Sequence, residues 1–402
     1  MRLQVAVTEK NERLGPTSTP VMKFSVSQRY GVIPSDELEN RTMQAKSLEK
    51  YKVVAEDDLV LNSFNAYKGA LGLAPGTGVV SPDYFVAVVN PTLADARFIR
   101  YFLLAQPSAE IIRRDMGGMG SGDPDSSAFA RFDVRSLLSM EVAIDDLGAQ
   151  RAIADYLDRE TAEIDAMTAD LDKMEALLTE RRGSIVRTHL LPEGKEYTRV
   201  KLKAAVSLGK TVQSKQKNAE EVQRNYVRAA HIQPHGRLAL DEQPMWFTTS
   251  ELEQLSLRAN DVLVVEGGAG YGRSVVLKED LPEWGFQNHV IRVRPNPGVV
   301  GEFIHYTFLA HYNAGLIDLL ADGATIPALS SDKARELPIL SVDEHYQRKI
   351  VGMVERETAE IDAMLVDITE LRDLLAERRA ALIAAAVTGQ INIPAAKEPT
   401  HA

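Results

Sequence analysis

A 33-residue segment occurs twice in this chain and constrains its fold more than any other feature. Residues 150–182 and 347–379 align without a gap at a constant offset of 197 residues, and 18 of the 33 positions are identical. Between and before the two copies the sequence differs. A long helix repeated at such a distance predicts two modules separated by matched helices, rather than a single catalytic pocket.

The composition is that of a globular protein without disulfide bonds. The chain has 402 residues, of which 45% are hydrophobic and none is cysteine, which excludes thiolate metal sites and a cysteine nucleophile. No apolar run approaches the ~20 residues that span a bilayer, and the N-terminus lacks the apolar core of a secretion signal. We therefore predict a cytoplasmic protein with no membrane partner.

The net charge of −11 is unevenly distributed along the chain. Residues 158–180 and residues 355–377 each carry eight acids against two bases, whereas residues 195–237 carry ten Lys/Arg against three Glu. Acidic helices are thus combined with at least one basic module. A basic patch is the electrostatic footprint expected of a nucleic-acid binder, although a solvated lysine-rich face would give the same count.

Both copies have apolar residues at alternating steps of three and four, the pattern of a coiled-coil seam. Asp146 and Asp343 precede the helices as candidate N-caps, and Pro192 and Gly389 mark their far ends. Because one amphipathic helix of ~37 residues cannot remain exposed, we predict that the two helices pack against each other. The predicted seam consists of Ile153, Leu157, Glu160, Ile164, Met167, Leu171, Met174, Leu178, Arg181 and Ile185 in the first helix, and Ile350, Val354, Glu357, Ile361, Met364, Ile368, Leu371, Leu375, Arg378 and Leu382 in the second.

The charged residues of this predicted seam indicate the direction of the helices. In an antiparallel pair Glu160 lies near Arg378 and Arg181 lies near Glu357, whereas a parallel pair brings like charges together. The antiparallel arrangement is therefore favoured. The alternative is that these four side chains extend outward into solvent.

The regions outside the helices show the same order of features. Each has an apolar strand after an acidic residue (Asp58–Asn62 and Asp261–Val265), then a turn containing glycine, a second strand, a helix and a polar loop. We predict an α+β fold in which two mixed α/β domains, 1–145 and 191–342, are separated by two long antiparallel coiled-coil helices, 146–190 and 343–393, in a pseudo-twofold arrangement. We predict that residues 394–402 form a flexible tail.

Motifs for independent catalysis are absent from the sequence. The Gly267–Gly272 turn lacks the strand–turn–helix context of a dinucleotide site, and neither a P-loop, a GxSxG nor an HExxH motif occurs. His231 and His235 are separated by Gln233-Pro234, which argues against a helical metal pair. We therefore predict no catalytic residue, no metal site and no cofactor bound by this chain.

Taken together, these features resemble one known family, the specificity (S) subunits of type I restriction–modification systems. The resemblance covers nearly the whole chain. It rests on the duplicated helices that end in Glu-Arg-Arg at 180–182 and 377–379, and on the segments Val387–Ile391, Ser25–Pro34, Tyr51–Asn62, Gly78–Pro82 and Gly323–Ser330.

The resemblance implies a non-catalytic subunit that binds double-stranded DNA. Its two target recognition domains would each read one half of a bipartite, asymmetric site. The helices would separate these domains and bind two methyltransferase (modification) subunits, and restriction/translocase subunits would join the complex. Adenine methylation and ATP-dependent cleavage, with their S-adenosylmethionine, ATP and Mg, would belong to those partners.

Candidate DNA contacts are polar and basic residues in predicted loops, because lysine and arginine hold phosphates and loops can enter the major groove. The alternative for each of them is an exposed surface residue that does not contact DNA. They are Gln28, Arg29, Tyr30, Asn65, Tyr67, Lys68, Arg113 and Arg114 in the first domain, and Lys210, Gln213, Ser214, Lys215, Lys217, Arg224, Arg228, Tyr271, Arg273, Gln287 and Asn288 in the second.

Two other functions stay open on the sequence alone. One is an architectural coiled-coil scaffold that binds other proteins, which predicts no sequence-specific DNA binding. The other is an enzyme in its own right, either a nuclease or a methyltransferase. Assays of the purified chain with DNA and Mg²⁺, or with S-adenosylmethionine, would distinguish these possibilities.

Overall fold

The computed structural model describes residues 1–16, 21–37, 48–114, 116–117, 131–268, 270–321, 328–391 and 393. The chain divides into two compact units, Met1–Asp170 with Leu371–Ala402, and Leu171–Glu370. The division falls inside both long helices, so each unit holds one mixed domain and a part of each helix. The predicted polar loop after Gly117, residues 323–327 of the segment before the second helix, and the predicted tail 394–402 lie outside the described residues.

The elements of the first unit begin with the mixed domain and lead into the first long helix. They are α1 (Leu3–Ala6), β1 (Val7–Glu9), β2 (Phe24–Ser27), β3 (Gly31–Pro34), β4 (Lys52–Val54), β5 (Leu59–Asn62), β6 (Leu71–Leu73), β7 (Gly78–Val80), β8 (Tyr84–Val89), α2 (Ala96–Leu104), α3 (Gln106–Arg114), β9 (Met116–Gly117), β10 (Arg131–Phe132), α4 (Val134–Ser139) and α5 (Leu147–Leu190), with a 3-10 turn at Ala66–Lys68.

A four-stranded antiparallel sheet with the order β1-β8-β5-β6 organises this domain. Its central strand β5 is apolar and buried because both faces of the sheet are covered. Leu59 and Leu61 point into a core that includes Phe98 of α2. Val60 points the other way, as expected from the two-residue period of a strand, into a second core with Val54.

The elements of the second domain follow in the same way and end with the second long helix. They are β11 (Tyr197–Arg199), α6 (Val200–Lys203), β12 (Ala204–Leu208), β13 (Val222–Val227), β14 (Ile232–Gln233), β15 (Arg237–Leu238), β16 (Pro244–Phe247), α7 (Thr249–Gln254), β17 (Val262–Val265), β18 (Ser274–Val276), β19 (Gly285–Phe286), β20 (Val290–Pro295), α8 (Gly301–Asn313), α9 (Leu316–Ala321), α10 (Ser331–Glu336), β21 (Pro338–Leu340) and α11 (Glu344–Val387).

The main sheet of the second domain repeats the topology of the first. Its order is β12-β20-β17-β18, and all three pairs are antiparallel. The central strand β17 again divides its side chains between two cores, with Val262 facing Phe303 of α8 and Leu263 facing Val227. A three-stranded sheet of different composition, β16-β13-β19, is added beside it. The two domains thus share the topology of the main sheet and differ in the smaller sheets and loops that surround it.

The two long helices begin and end at equivalent positions, 197 residues apart, and each has 44 residues. Asp146 accepts the backbone N–H of Ala149 at 2.6 Å, and Asp343 accepts that of Tyr346 at 2.8 Å, which is the bond of an N-cap. None of the helices in the described part of the chain combines the length and the apolar character needed to cross a membrane.

Within each unit the long helices pack antiparallel. In the first unit Leu157 of α5 shares a core with Ile383 of α11, and Arg379 donates to Asp165 further along. In the second unit Arg182 donates to Asp362 at 2.5 Å, and the His189 and Glu357 side chains are 3.1 Å apart. In both units residue numbers rise on α5 as they fall on α11, as the charge pattern of the sequence predicted.

The predicted seam needs a correction of one residue at eight of its twenty positions. Of the predicted residues, Ile164 and Ile361 are buried, but Met167 and Met364 are 48% and 44% exposed. The outward positions are Glu160, Met167, Met174, Arg181, Glu357, Met364, Leu371 and Arg378, and the inward positions are the residues that directly follow each of them.

This correction has a physical reason. A heptad seam alternates steps of three and four residues, and shifting every second seam position by one residue leaves the seven-residue period unchanged. The period alone therefore does not decide which of the two neighbouring residues faces inward. Thr161 can be buried because its hydroxyl donates to the Leu157 carbonyl at 2.7 Å. Arg182 can be buried because its guanidinium pairs with Asp362. The ion pairs are therefore Arg182–Asp362 and Arg379–Asp165, instead of the predicted Arg181–Glu357 and Arg378–Glu160.

Candidate nucleic-acid interface

The first unit presents a hairpin tip formed by Gln28, Arg29 and Tyr30. β2 and β3 pair antiparallel up to Ser27 and Gly31, so these three residues form the connecting loop. The Ser27 hydroxyl accepts the N–H groups of Arg29 and Tyr30, each at 3.2 Å. Tyr30 is 63% exposed, and the Arg29 guanidinium lies 5.2 Å from its ring centroid. A cation beside an exposed aromatic ring is a surface suited to phosphates and bases.

A 3-10 turn after β5 lies beside this hairpin. It is bounded by Asn65, whose N–H bonds to the Asn62 carbonyl at 3.1 Å, and by Gly69, which has a φ of +88°. A Cβ at Gly69 would lie 3.9 Å from the Gln28 carbonyl oxygen, an ordinary van der Waals distance, so the two segments are neighbours and the positive φ is what favours glycine here. Lys68 is exposed, with its ammonium 5.3 Å from the centroid of the half-buried Tyr67 ring.

Helix α3 packs against the same 3-10 turn. Ile112 of α3 and Ala66 of the turn belong to one core, and Arg113 and Arg114 are exposed in the last turn of the helix. The structure therefore brings together three groups of predicted DNA contacts that are far apart in sequence. The hairpin tip, the 3-10 turn and α3 form one polar and basic surface of the first domain.

In the second unit, the predicted contacts from Lys210 to Lys217 lie in the loop between β12 and β13. Ser214, Lys215 and Lys217 are exposed. Lys210 is instead half-buried, because its ammonium donates to Glu251 at 2.5 Å and to the Trp246 carbonyl at 3.0 Å. The base of the loop is thus fixed to the chain segment around β16.

Gln287 and Asn288 lie against the start of this loop. The Asn288 N–H donates to the Lys210 carbonyl at 2.9 Å, and the Lys210 N–H donates to the Phe286 carbonyl at 3.0 Å. A Cβ at Gly209 would lie only 2.3 Å from the Gln287 carbonyl oxygen, so only glycine fits there without displacing the backbone. These contacts join two predicted groups, 210–217 and 287–288, into one surface.

The arginines of β13 have acidic neighbours. Arg224 donates to Glu283 at 3.1 Å. Arg228 donates to Asp241, and the His231 Nε2 lies 2.6 Å from the same carboxylate. The pKa of Asp241 is lowered, chiefly by its hydrogen bond with His231. Part of the positive charge counted over residues 195–237 is therefore already paired within the domain.

The glycine turn at Gly267–Gly272 connects two antiparallel strands. β17 and β18 pair from Val262↔Val276 to Val264↔Ser274, so the turn closes a hairpin and does not lead into a helix. Tyr271 donates its hydroxyl hydrogen to Asp318 of α9, while Arg273 is exposed. This geometry agrees with the absence of a dinucleotide-binding βαβ context.

The sequence interpretation missed the residue that organises the 209–221 loop. Glu221 is only 5% exposed, and its carboxylate accepts bonds from Gln213 and from backbone N–H groups in the loop. Its only signal in the sequence was that it is one of three acids within a lysine-rich stretch.

Comparison with known proteins gives a match in structure. No family model and no curated protein matches the sequence. A chain from a structure of the complex assembly and conformational transition of the type I R-M system covers 97% of this chain and 97% of its own length, at 14% identity and a TM-score of 0.59. The predicted fold class, mixed domains with two long antiparallel helices, is confirmed by the structure and this match.

Two further matches have lower TM-scores. The HsdS subunit from Thermoanaerobacter tengcongensis is 14% identical, with a TM-score of 0.39, and the match covers 97% of this chain and 96% of that one. The type I restriction–modification S subunit from M. genitalium is 14% identical, with a TM-score of 0.38 and coverages of 96% and 95%. The first match, with its TM-score of 0.59, confirms at the level of the fold the resemblance predicted from the sequence.

Proposed function

We propose that this chain is the DNA specificity subunit of a type I restriction–modification complex. The observation that carries the proposal is the repeated β1-β8-β5-β6 topology, which recurs as β12-β20-β17-β18 in a second domain with different surface loops. Two scaffolds of the same kind with different loops suit the reading of two different half-sites. The shared fold with a type I R-M chain supports the same conclusion.

The proposed mechanism assigns separate tasks to side chains of different chemistry. Exposed cations such as Lys68 and Lys215 bind phosphates and fix the position of each domain on the duplex. Amides such as Gln28 and Asn288 read base edges in the major groove, where all four base pairs differ in donors and acceptors. The outward faces of α5 and α11, which are acidic, face away from DNA and toward two methyltransferase subunits.

Catalysis belongs, in this proposal, to other chains. The methyltransferase and restriction subunits supply S-adenosylmethionine-dependent adenine methylation and ATP- and Mg-dependent cleavage. This chain determines where those reactions occur. The purified chain alone, incubated with DNA and either Mg²⁺ or labelled S-adenosylmethionine, is expected to cleave nothing and to transfer no methyl group.

The direct test is to map methylated bases in cells with and without this gene. We expect a bipartite sequence, two specified halves with a constant gap between them, that is methylated only when the gene is present. A methylation pattern that is the same in both strains would contradict the proposal and leave the scaffold function as the better account.

A further inference from the structure

The loop between β12 and β13 is closed by a single buried carboxylate. Glu221 accepts the N–H of Lys217 at 2.7 Å, the N–H of Asn218 at 3.3 Å and the side-chain amide of Gln213 at 2.9 Å. Backbone N–H groups of a loop ordinarily bond to water, so a carboxylate that collects two of them restrains the loop to one conformation.

The other end of the loop is fixed through Gln213. This side chain is buried, and its amide also donates to the Lys215 carbonyl at 3.0 Å. The backbone carbonyl of Gln213 accepts the N–H of Trp246, and the Trp246 carbonyl accepts a hydrogen bond from the Lys210 ammonium. The four residues between Gln213 and Asn218 are therefore restrained at both ends by Glu221 and Gln213, and Gln213 is bonded in turn to β16.

The side chains that protrude from this restrained segment are basic and polar. Lys215 and Lys217 are exposed and form no ion pair with any residue in the described ranges. The carboxylate of Glu221 is stabilised by amide donors. The Lys217 N–H has the largest effect and the Gln213 amide the next largest, and together they keep the pKa of the Glu221 carboxyl below its ordinary value. The carboxylate therefore stays ionised at neutral pH, and the two ammonium groups remain available to an anion.

We propose that Glu221 is a positioning residue that restrains this loop so that Lys215 and Lys217 can bind DNA phosphates. The inference rests on the DNA-specificity function proposed above and assigns the loop to the half-site read by the second domain. Phosphate contacts fix the register of a protein on DNA, and a loop ordered before binding loses less conformational entropy when it binds. Glu221 itself touches no DNA.

The direction in which DNA affinity changes when Glu221 is neutralised distinguishes a positioning role from simple charge repulsion. Removing a negative charge near DNA strengthens binding, because fewer repulsive charges face the phosphates. Removing the charge that orders the loop weakens binding, because the lysines lose their fixed positions. Glu220 is a matched control, since it is the adjacent glutamate and is exposed.

The experiment compares Glu221→Gln with Glu220→Gln in the full-length chain, assembled with its methyltransferase subunits. Binding to duplex DNA that carries both half-sites is measured over a series of salt concentrations. For Glu221→Gln we expect about tenfold weaker binding and a salt dependence shallower by about one to two phosphate contacts. For Glu220→Gln we expect equal or tighter binding with an unchanged salt slope.

A second variant and a folding control complete the test. Gln213→Leu breaks the same arrangement without changing the charge, so it should weaken binding in the same direction. Thermal unfolding shows whether each variant is folded. Equal binding by Glu221→Gln and Glu220→Gln overturns the inference. The inference is also overturned if Glu221→Gln and Gln213→Leu bind less DNA only in proportion to the fraction of each variant that is unfolded. If the wild-type complex itself binds no specific sequence, the proposed function fails instead.

Discussion

At the residue scale, two buried glutamines join each long helix to the domain before it. Gln150 accepts the N–H of Asp95 at 2.9 Å and donates to the Ile144 carbonyl at 2.8 Å. Gln347 makes the equivalent pair of bonds, to Val300 at 2.9 Å and to Val342 at 3.1 Å. Each amide thus satisfies two backbone groups that would otherwise be buried without a partner.

We predict that Gln150→Met destabilises the first unit. Methionine has nearly the same shape but leaves the Asp95 N–H and the Ile144 carbonyl unsatisfied, at a cost of about 2–4 kcal/mol in the free energy of unfolding. Urea denaturation measures this. The control is Arg151→Met at the neighbouring exposed position, which should change stability by less than about 0.5 kcal/mol. Equal midpoints for the two variants would show that the glutamine bonds contribute little.

A buried histidine gives the second unit a predicted pH dependence. The His305 Nδ1 lies 2.9 Å from the Ser274 hydroxyl. Burial lowers the pKa of His305 to about 4, and the positive charges of Arg182 and Lys278 add to this, whereas Glu302 opposes it. Between pH 6.5 and about 4 the unfolded chain therefore binds a proton that the folded chain does not bind.

Stability is accordingly expected to fall as the pH is lowered through that window. The contribution of His305 is about 3 kcal/mol, fully present above pH 6.5 and lost by about pH 4. His305→Gln should show a shallower decline of unfolding free energy with falling pH, and His345→Gln, at an exposed histidine, should keep the wild-type slope. The same slope for wild type and His305→Gln would contradict the assignment.

Single residues also show which part of the candidate site could not be predicted from the sequence. Lys210 and Gln213 are polar residues in a polar stretch, which made them candidates for DNA contact. Their partners Glu251 and Glu221 lie 41 and 8 residues away, and nothing in the local sequence indicates these pairs. The exposed Lys215 and Lys217 belong to the same stretch. Only the fold separates the residues that build the loop from those that protrude from it.

At the element scale, two ion pairs define the register of the antiparallel helices α5 and α11, and one of them has a buried arginine. Arg182 is 8% exposed, and its Nε lies 2.5 Å from the Asp362 carboxylate. Removing one partner leaves the other without its counter-charge, which is costly in a site with little water. Arg379 and Asp165 form the equivalent pair in the first unit.

A double-mutant cycle tests this register. We expect a coupling energy of about 1–3 kcal/mol between Arg182→Ala and Asp362→Ala, because the side chains are in direct contact. A cycle between Arg181→Ala and Glu357→Ala, the pair that the sequence pattern favoured, should give a coupling near zero. Unfolding free energies provide both values. Larger coupling in the second cycle would show that the helices pack in the register predicted from the sequence.

The elements were more predictable than their contacts. Asp146 and Asp343, together with the repeated segment, indicate both long helices, and apolar runs such as Asp261–Val265 indicate the central strands. The sequence interpretation expected helices of ~37 residues, and they are 44. Helix ends and seam registers depend on packing partners far away in the chain, which a local pattern does not contain.

At the scale of the whole molecule, the boundaries of the two compact units differ from those of the predicted domain, helix, domain and helix, because both unit boundaries fall inside the long helices. Each unit contains the start of one long helix and the end of the other. α5 begins in the first unit and ends in the second, and α11 runs the opposite way, so both helices are covalent connections between the two proposed DNA readers. In the proposed function, the length of these helices sets the gap between the two half-sites.

Shortening both helices tests this role. Deleting residues 168–174 and 370–376 removes one heptad from each helix, which keeps the phase of the seam and shortens the helices by ~10 Å. DNA rises ~3.4 Å per base pair, so we expect the accepted gap to shrink by about three base pairs while both half-sites stay the same. Selection of bound sequences from random duplex DNA measures the gap. The original gap in the shortened variant would contradict this role.

The most direct test of the central claim, that two domains read two halves of one site, uses the same selection with single-domain variants. The complex is assembled with the wild-type chain, with Gln28→Ala in the first unit, or with Asn288→Ala in the second, the amides proposed to read base edges. We predict that the wild type selects two half-sites at a constant gap and that each variant weakens selection at only one of them. A single continuous motif, or both halves weakened together by either variant, would contradict the account.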